Sequence, residues 1–232
     1  MRKCLLVSAA LALAAGLSLV SISVQATPIT VNLSGCGGLA SCTNNGVTFT
    51  GWQDSSGAWG SANLTYKGDP DNETGLGVAC TGGKCNQKEI QDTPEQLIAV
   101  DLSAINFSSL ALGVGSVDCN GSSDCTAPEI AYIYGSMCAD PELCGHTFLN
   151  SYTGANYPNN AHTFNFSAGD LTGYDFLWVT PVSPTDTGSV NSANFLLASL
   201  SYTAVPEPAV LGMFGLGVLL IGLFAGLRRR LD

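Results

Sequence analysis

Eight of the nine cysteines in this 232-residue chain fall into four close pairs. Each pair brackets a turn-forming insert, such as Gly-Gly-Leu-Ala-Ser, in which the backbone can reverse and bring two sulfur atoms within bonding distance. In an oxidising compartment this spacing predicts four local disulfide bonds. By reducing the entropy of the unfolded chain, each bond across so short a loop stabilises the fold by only about 2 kcal/mol. We therefore expect these bonds to fix loops more than to hold the fold together. The pairs are Cys36 with Cys42, Cys80 with Cys85, Cys119 with Cys125, and Cys138 with Cys144.

A zinc or iron–sulfur site is the alternative use of clustered cysteines. Tight thiolate sites usually have Cys-x-x-Cys spacing and often include histidine. The chain has no Cys-x-x-Cys, and its two histidines are His146 and His162. Disulfide bonds are therefore the prediction that we favour.

A turn at residues 69–75 offers a different ligand chemistry. Asp69, Asp71 and Glu73 alternate along this turn, and carboxylate oxygens are the ligands that a hard cation such as calcium requires. The spacing lacks the full pattern of an EF-hand loop, and a solvated acidic turn before a strand is the alternative that we favour. No other cofactor is expected.

Motifs for catalysis are missing from the sequence. It contains no G-x-S-x-G, no H-E-x-x-H and no phosphate-binding glycine loop beside a basic residue. A triad built from distant residues stays open, but we expect His146 and His162 to be surface loop residues. The chain is therefore not expected to be an enzyme.

Acidic residues far outnumber basic residues between Thr27 and Val205. This stretch has three lysines, no arginine and sixteen Asp and Glu, a net charge of −13 with His neutral. Such a surface repels phosphate backbones, which excludes nucleic acid as a partner. About 180 residues suit one domain with its own core.

The sequence between the cysteine pairs and the acidic turn has the pattern of β-strands. Apolar or alternating runs, rich in β-branched and aromatic residues, recur between clusters of Gly, Asn, Asp and Pro, and no convincing helical period separates them. The pattern predicts an all-β ectodomain over residues 27–204, a single jelly-roll-like β-sandwich with local disulfides. The runs cover residues 29–33, 47–52, 58–66, 76–80, 97–102, 110–114, 130–134, 163–166, 174–180 and 195–202.

The N-terminus has the pattern of a secretory signal peptide over residues 1–26. Arg2 and Lys3 precede an apolar run, and Val24-Gln25-Ala26 places small residues at the −3 and −1 positions. We therefore expect passage through the export translocon and cleavage after Ala26 by signal peptidase. Cys4 leaves with this segment. A retained N-terminal anchor is the alternative.

The C-terminal segment, residues 205–232, combines three features. Pro206-Glu207-Pro208 is followed by an uncharged apolar run at 209–227 and then by Arg228, Arg229 and Arg230. At a rise of about 1.5 Å per residue the run spans about 28 Å, close to the thickness of the hydrocarbon core of a bilayer. It predicts one transmembrane helix, with the arginines on the cytoplasmic side. A buried core helix is the alternative.

These three features, in this order, resemble the PEP-CTERM sorting signal of Gram-negative bacteria. The resemblance implies that an exosortase, a membrane-embedded transpeptidase-like enzyme, processes the tail near the motif. It also implies a precursor anchored in the inner membrane with its ectodomain in the periplasm, and later a place at the cell surface or in the extracellular matrix. A glycosylphosphatidylinositol signal also has a disposable apolar tail, but the terminal arginines disfavour it.

Three functions stay open for the ectodomain. The first is a non-enzymatic surface or matrix protein associated with the exopolysaccharide of a biofilm, as the resemblance implies. The second is a carbohydrate-binding module, with or without calcium, and the third is a secreted hydrolase. Aromatic residues that could stack on sugar rings are Trp52, Trp59, Tyr132, Tyr134, Tyr152 and Tyr157.

Overall fold

The computed structural model describes residues 26–68, 73–80, 88–91, 94–117, 128–154, 161–182 and 194–205. These residues form strands and one three-residue 3₁₀ turn at Ser34–Cys36. The strands are β1 (Pro28–Val31), β2 (Ser41–Asn44), β3 (Val47–Asp54), β4 (Trp59–Ala62), β5 (Leu64–Lys67), β6 (Gly75–Val78), β7 (Ile90–Gln91), β8 (Gln96–Asp101), β9 (Phe107–Gly115), β10 (Ile130–Ser136), β11 (His146–Thr153), β12 (His162–Ser167), β13 (Phe176–Thr180) and β14 (Asn194–Ala204).

The strands pair in two antiparallel sheets of seven strands each. Sheet A has the order β12-β9-β14-β6-β5, and β1 and β7 also pair with β14. Sheet B has the order β11-β10-β13-β8-β3-β2, and β4 also pairs with β3. The predicted all-β class and the two antiparallel sheets of a β-sandwich are confirmed, while the jelly-roll connectivity stays a prediction.

The main core receives alternate side chains from both sheets. In sheet B, Phe49 of β3 and Ile98 of β8 are fully buried, and in sheet A the same holds for Leu112 of β9 and Leu197 of β14. The alternation of apolar residues along these strands puts one face of each sheet against the core. A fully buried side chain of this size contributes about 1.5–3 kcal/mol, so this core is the main source of stability.

A buried glutamine joins the two sheets at one end. Gln96 of β8 is fully buried, and its Oε1 accepts a hydrogen bond of 2.9 Å from the backbone N–H of Gln91. Gln91 lies in β7, which pairs with Asn194 of β14 in sheet A. The Nε2 of Gln96 donates to Oε1 of Gln53 at 3.3 Å within sheet B. The side chain of Gln96 therefore joins β7, a strand paired with sheet A, to the start of β8, an inner strand of sheet B.

The described residues contain two of the four predicted disulfide bonds. Cys36 bonds Cys42 and Cys138 bonds Cys144, as the spacing predicts. Cys80 is also disulfide-bonded, but its predicted partner Cys85 lies outside the described residues.

The remaining predicted disulfide bond is not confirmed. Its two cysteines, Cys119 and Cys125, both lie outside the described residues. The bond between Cys119 and Cys125 therefore stays a prediction from their spacing, and so does the assignment of Cys85 as the partner of Cys80.

Three strands of the structure are missing from the sequence-based assignment, namely β2, β7 and β11. Both β2 and β11 are the outer strands of sheet B, and no side chain of either is fully buried. Since only one edge of such a strand is paired and little of it enters the core, it shows little apolar alternation. The two-residue β7 is too short to give any pattern.

The predicted signal peptide up to Gln25 and the tail from Pro206 lie outside the described residues. Ala26, the predicted cleavage position, is described and precedes β1. Among the described residues no helix is long and apolar enough to cross a membrane. The predicted transmembrane helix at 209–227 falls in the part of the chain that is not described.

Candidate functional site

Sheet B carries a second cluster of apolar side chains on the face opposite the main core. Because side chains alternate along a strand, Leu97 and Ala99 of β8 point away from the side that holds Ile98 and Val100. This outer aromatic cluster consists of buried Leu97, Ala99, Tyr134 and Trp178 with half-buried Trp52, Trp59, Tyr132 and Phe176 packed around them. It gathers all three tryptophans of the chain.

Strand register places members of this cluster side by side. Tyr134 of β10 lies opposite Trp178 of β13, and Trp178 lies opposite Ala99 of β8. In the next row, Leu97 of β8 lies opposite Trp52 of β3. Directly opposite residues have Cβ atoms about 4.5–5.5 Å apart, so these side chains form a continuous apolar surface across four strands, with aromatic rings on β10, β13 and β3.

The segment between β10 and β11 folds over this surface. We call residues 137–145, which the Cys138–Cys144 disulfide closes, the cover loop. The indole Nε1 of Trp178 donates a hydrogen bond of 3.1 Å to the backbone oxygen of Cys138. At a second point, the backbone N–H of Trp59 donates to Oε1 of Glu142 at 2.6 Å. The cover loop is therefore attached to β13 and to β4.

Apolar side chains in the cover loop and beside it reach solvent. Met137 is 59% exposed, Leu143 80% and Phe148 47%. The ring of Phe148 lies 6.4 Å from that of Tyr132 and 6.0 Å from that of Tyr134. Large apolar groups clustered on a surface often mark a binding site. The margin of the outer aromatic cluster is thus open to a ligand, while its centre at Trp178 is covered.

Two polar atoms of the cluster have unusual surroundings. The hydroxyl of Tyr134 donates a hydrogen bond of 2.9 Å to the backbone oxygen of Val182. Burial, and then the neighbouring charge of Tyr132, raise the pKa of Tyr134 far above its usual value, which keeps the hydroxyl protonated as a donor. The Nε1 of Trp52 is buried and has no hydrogen-bond partner among the described residues.

Both histidines contact aromatic rings. His146 lies 4.9 Å from the ring of Tyr134 and 5.2 Å from that of Trp178, while His162 stacks on Tyr152 at 4.3 Å. The prediction that they are loop residues is wrong, because His146 begins β11 and His162 begins β12. Each histidine follows a segment rich in turn-forming residues, which hid the start of its strand.

The predicted sugar-stacking residues separate into two groups. Trp52, Trp59, Tyr132 and Tyr134 belong to the outer aromatic cluster. Tyr152 instead packs against the main core, and Tyr157 lies outside the described residues. Trp178, which the structure places at the centre of the cluster, is not among the predicted residues. Strand β13 is buried from Leu177 to Thr180, so its sequence does not show which side chains face the cluster.

The predicted acidic turn is described only in part. Asp69 and Asp71 lie outside the described residues, and Glu73 is described. The carboxylate of Glu73 pairs with Nζ of Lys67 and accepts a hydrogen bond of 2.9 Å from Oγ of Ser116. In the described part of the chain no group of three or more His, Cys, Asp or Glu side chains is placed to hold a metal ion.

Lys67 is shared between two carboxylates. Besides Glu73, its Nζ pairs with Oε1 of Glu89 at 2.7 Å, and Glu89 is almost completely buried. Burial by itself would lower the pKa of Lys67, but the hydrogen bonds and charges of the two glutamates outweigh it and raise the pKa. One cation thus faces two carboxylates, so the group keeps a net charge of −1, and we interpret it as a structural ion cluster.

Comparison with known proteins identifies the C-terminal signal. The PEP-CTERM protein-sorting motif matches residues 204–230. The match contains Pro206, Glu207 and Pro208 as well as the three terminal arginines, and confirms the sorting signal that the sequence predicts. A search among curated proteins found no match to the chain. The family match therefore covers the tail and leaves the activity of the ectodomain to inference.

Proposed function

We propose that this protein is an exported, non-enzymatic surface or matrix protein that an exosortase processes at its tail and that associates with exopolysaccharide in a biofilm. The observation that carries the proposal is the PEP-CTERM motif at residues 204–230. Such a motif belongs to a membrane-anchored export precursor and makes an exosortase the processing partner.

Two features of the described domain support an exported location. It contains the disulfides Cys36–Cys42 and Cys138–Cys144, and such bonds persist in oxidising compartments. The surface between Thr27 and Val205 is strongly acidic, which favours solubility and disfavours anionic partners. The proposed route comprises export through the translocon, removal of residues 1–26 and transient anchoring in the inner membrane by residues 209–227.

A substitution in the motif tests this route. Glu207→Ala removes the carboxylate between the two prolines, and we expect the full-length precursor to accumulate in the inner membrane of a host that contains the exosortase. Asp232→Ala removes a carboxylate from the same tail outside the motif and is the control. Immunoblots of membrane and medium measure both forms. Normal release of the Glu207→Ala protein would contradict the proposal.

A carbohydrate-binding role is the second candidate, because of the outer aromatic cluster. Trp59 of β4 and Tyr132 of β10 are half-buried at opposite margins of the cluster, and exposed Phe148 lies beside Tyr132. Aromatic rings combined with a few polar groups are typical of small-molecule sites, and the apolar face of a pyranose ring can lie on them. Since the domain has a net charge of −13, we propose a neutral saccharide as the ligand. Calcium at Asp69, Asp71 and Glu73 is not part of this proposal, because Glu73 already pairs with Lys67 and accepts a hydrogen bond from Ser116.

A further inference from the structure

The last strand of the domain is held along both edges up to Thr203. In this stretch of β14, Leu200 lies opposite Val31 of β1 on one side and Leu112 of β9 on the other. Leu200 is fully buried, and the hydroxyl of Tyr202 donates a hydrogen bond of 2.9 Å to the backbone oxygen of Asn45. A strand fixed in this way cannot enter the cleft of a processing enzyme unless sheet A unfolds.

The pairing of β14 changes immediately after Thr203. Thr203 lies opposite Ser109, but Ala204 lies opposite Phe107, so the intervening Ser108 forms an irregularity in β9. The pairing with β1 also ends at Thr203, opposite Pro28. Beyond this point only one edge of the chain is paired. An irregularity of this kind marks a place where pairing can end.

Ala204 and Val205 form a weakly held extension of the strand. The backbone N–H of Val205 donates a hydrogen bond of 3.0 Å to the backbone oxygen of Asn106, and the Val205 side chain is 36% exposed. The matched sorting motif begins at residue 204. The motif therefore overlaps the folded domain by two residues, and no free residue separates the last backbone hydrogen bond from Pro206.

We propose that Ala204 and Val205 separate from β9 at the irregularity beside Ser108 before the exosortase cuts the chain, and that the cut falls at the peptide bond after Val205 or at a later one. Enzymes and receptors that act on peptides commonly bind them as extended segments, and strand ends open far more readily than central strands. In the cut, the peptide C–N bond breaks, and the carbonyl carbon on the ectodomain side bonds to the oxygen of water or to the nitrogen of an acceptor amine. A proton from that nucleophile goes to the leaving nitrogen, so the tail leaves with a free amino group. This inference depends on the proposed exosortase processing.

The mass of the processed product tests the position of the cut. The full chain is produced in a Gram-negative host with an active exosortase, and the intact mass of the released protein is measured. We expect a C-terminus at residue 205 or later, with all of β14 retained. A C-terminus within residues 194–204 would overturn the inference while leaving the proposed function intact. Failure of the active enzyme to process the chain at all would instead contradict the proposed function, and the inference with it.

An insertion tests the requirement for separation. Gly-Ser-Gly-Ser placed between Val205 and Pro206 supplies an extended segment without opening β14. Pulse–chase labelling should show processing about fivefold faster, the change expected when one net hydrogen bond no longer has to open. The same insertion between Ser56 and Gly57, in an exposed turn, is the control and should leave the rate unchanged. Equal rates for both insertions and the unaltered chain would refute the separation step.

Discussion

Trp178 donates its indole N–H to the backbone oxygen of Cys138 across 3.1 Å, which ties the disulfide-closed cover loop to the centre of sheet B. The donor belongs to a buried side chain in β13, and the acceptor belongs to one of the two cysteines that close the loop. The disulfide therefore controls how firmly the cover loop can hold over the outer aromatic cluster. It fixes a loop at a particular surface, a role that the spacing of the cysteines alone predicts only in general terms.

Removal of the cover-loop disulfide should expose tryptophan. In the Cys138→Ala, Cys144→Ala variant, we expect the stability to fall by about 2 kcal/mol because the unfolded chain gains freedom. Fluorescence emission of the folded protein should shift to longer wavelength, since water then reaches Trp178. The Cys36→Ala, Cys42→Ala variant is the control and should lose stability without that shift. An unchanged emission spectrum in the first variant would show that the loop stays closed without its disulfide.

Binding of a neutral polysaccharide should depend on Trp59. Loss of an aromatic ring that stacks on a sugar should weaken binding about tenfold, so we expect this change in Trp59→Ala when affinity is measured by calorimetry or affinity electrophoresis. Tyr66→Ala, which removes a partly buried aromatic ring from β5 in sheet A, is the matched control. Equal loss in both variants would indicate general destabilisation, and absence of binding to a broad panel of glycans would contradict the carbohydrate role.

Sequence periodicity predicted the strands that bury one face and failed where burial is slight. Strands β3, β8 and β14 carry buried apolar side chains in the main core, and the pattern locates them. Strand β11 begins with three exposed residues and lies at the edge of sheet B. Its extended conformation therefore depends on pairing with β10, which its own sequence pattern does not reveal. For the site, the aromatic types were visible, but their gathering on one face depends on register between strands distant in sequence.

The acidic turn at residues 69–73 should not make the domain depend on calcium. Glu73 already pairs with Lys67 and accepts a hydrogen bond from Ser116, so its carboxylate is engaged by protein groups. We expect the same melting temperature with added calcium and with a chelator, measured by scanning calorimetry. A rise in melting temperature with calcium that Asp71→Asn abolishes would contradict this expectation, since ligands that bind the folded state stabilise it.

Lys67 should contribute to stability through Glu73 and Glu89. In Lys67→Met both carboxylates lose their cation, and Glu89 is almost completely buried, so we expect a loss of about 2 kcal/mol in the free energy of unfolding at neutral pH. Urea titration measures it. Lys88→Met removes an exposed lysine from the same part of the chain and should change stability little. Equal effects of the two substitutions would show that net charge, and not the ion cluster, is responsible.

The contribution of Lys67 should also disappear in alkali. Its pKa in the folded protein is raised above the ordinary value of 10.5, because the two glutamates outweigh the effect of burial. The folded state therefore holds the proton more tightly than the unfolded state, and the stabilisation is fully present below pH 10.5. It is lost as the pH rises from there through the raised pKa, since Lys67 then becomes neutral in the folded protein too. The difference in stability between the unaltered protein and Lys67→Met should accordingly be constant from neutral pH upward and shrink only above pH 10.5. A difference that already shrinks near neutral pH would mean that another group titrates in the cluster.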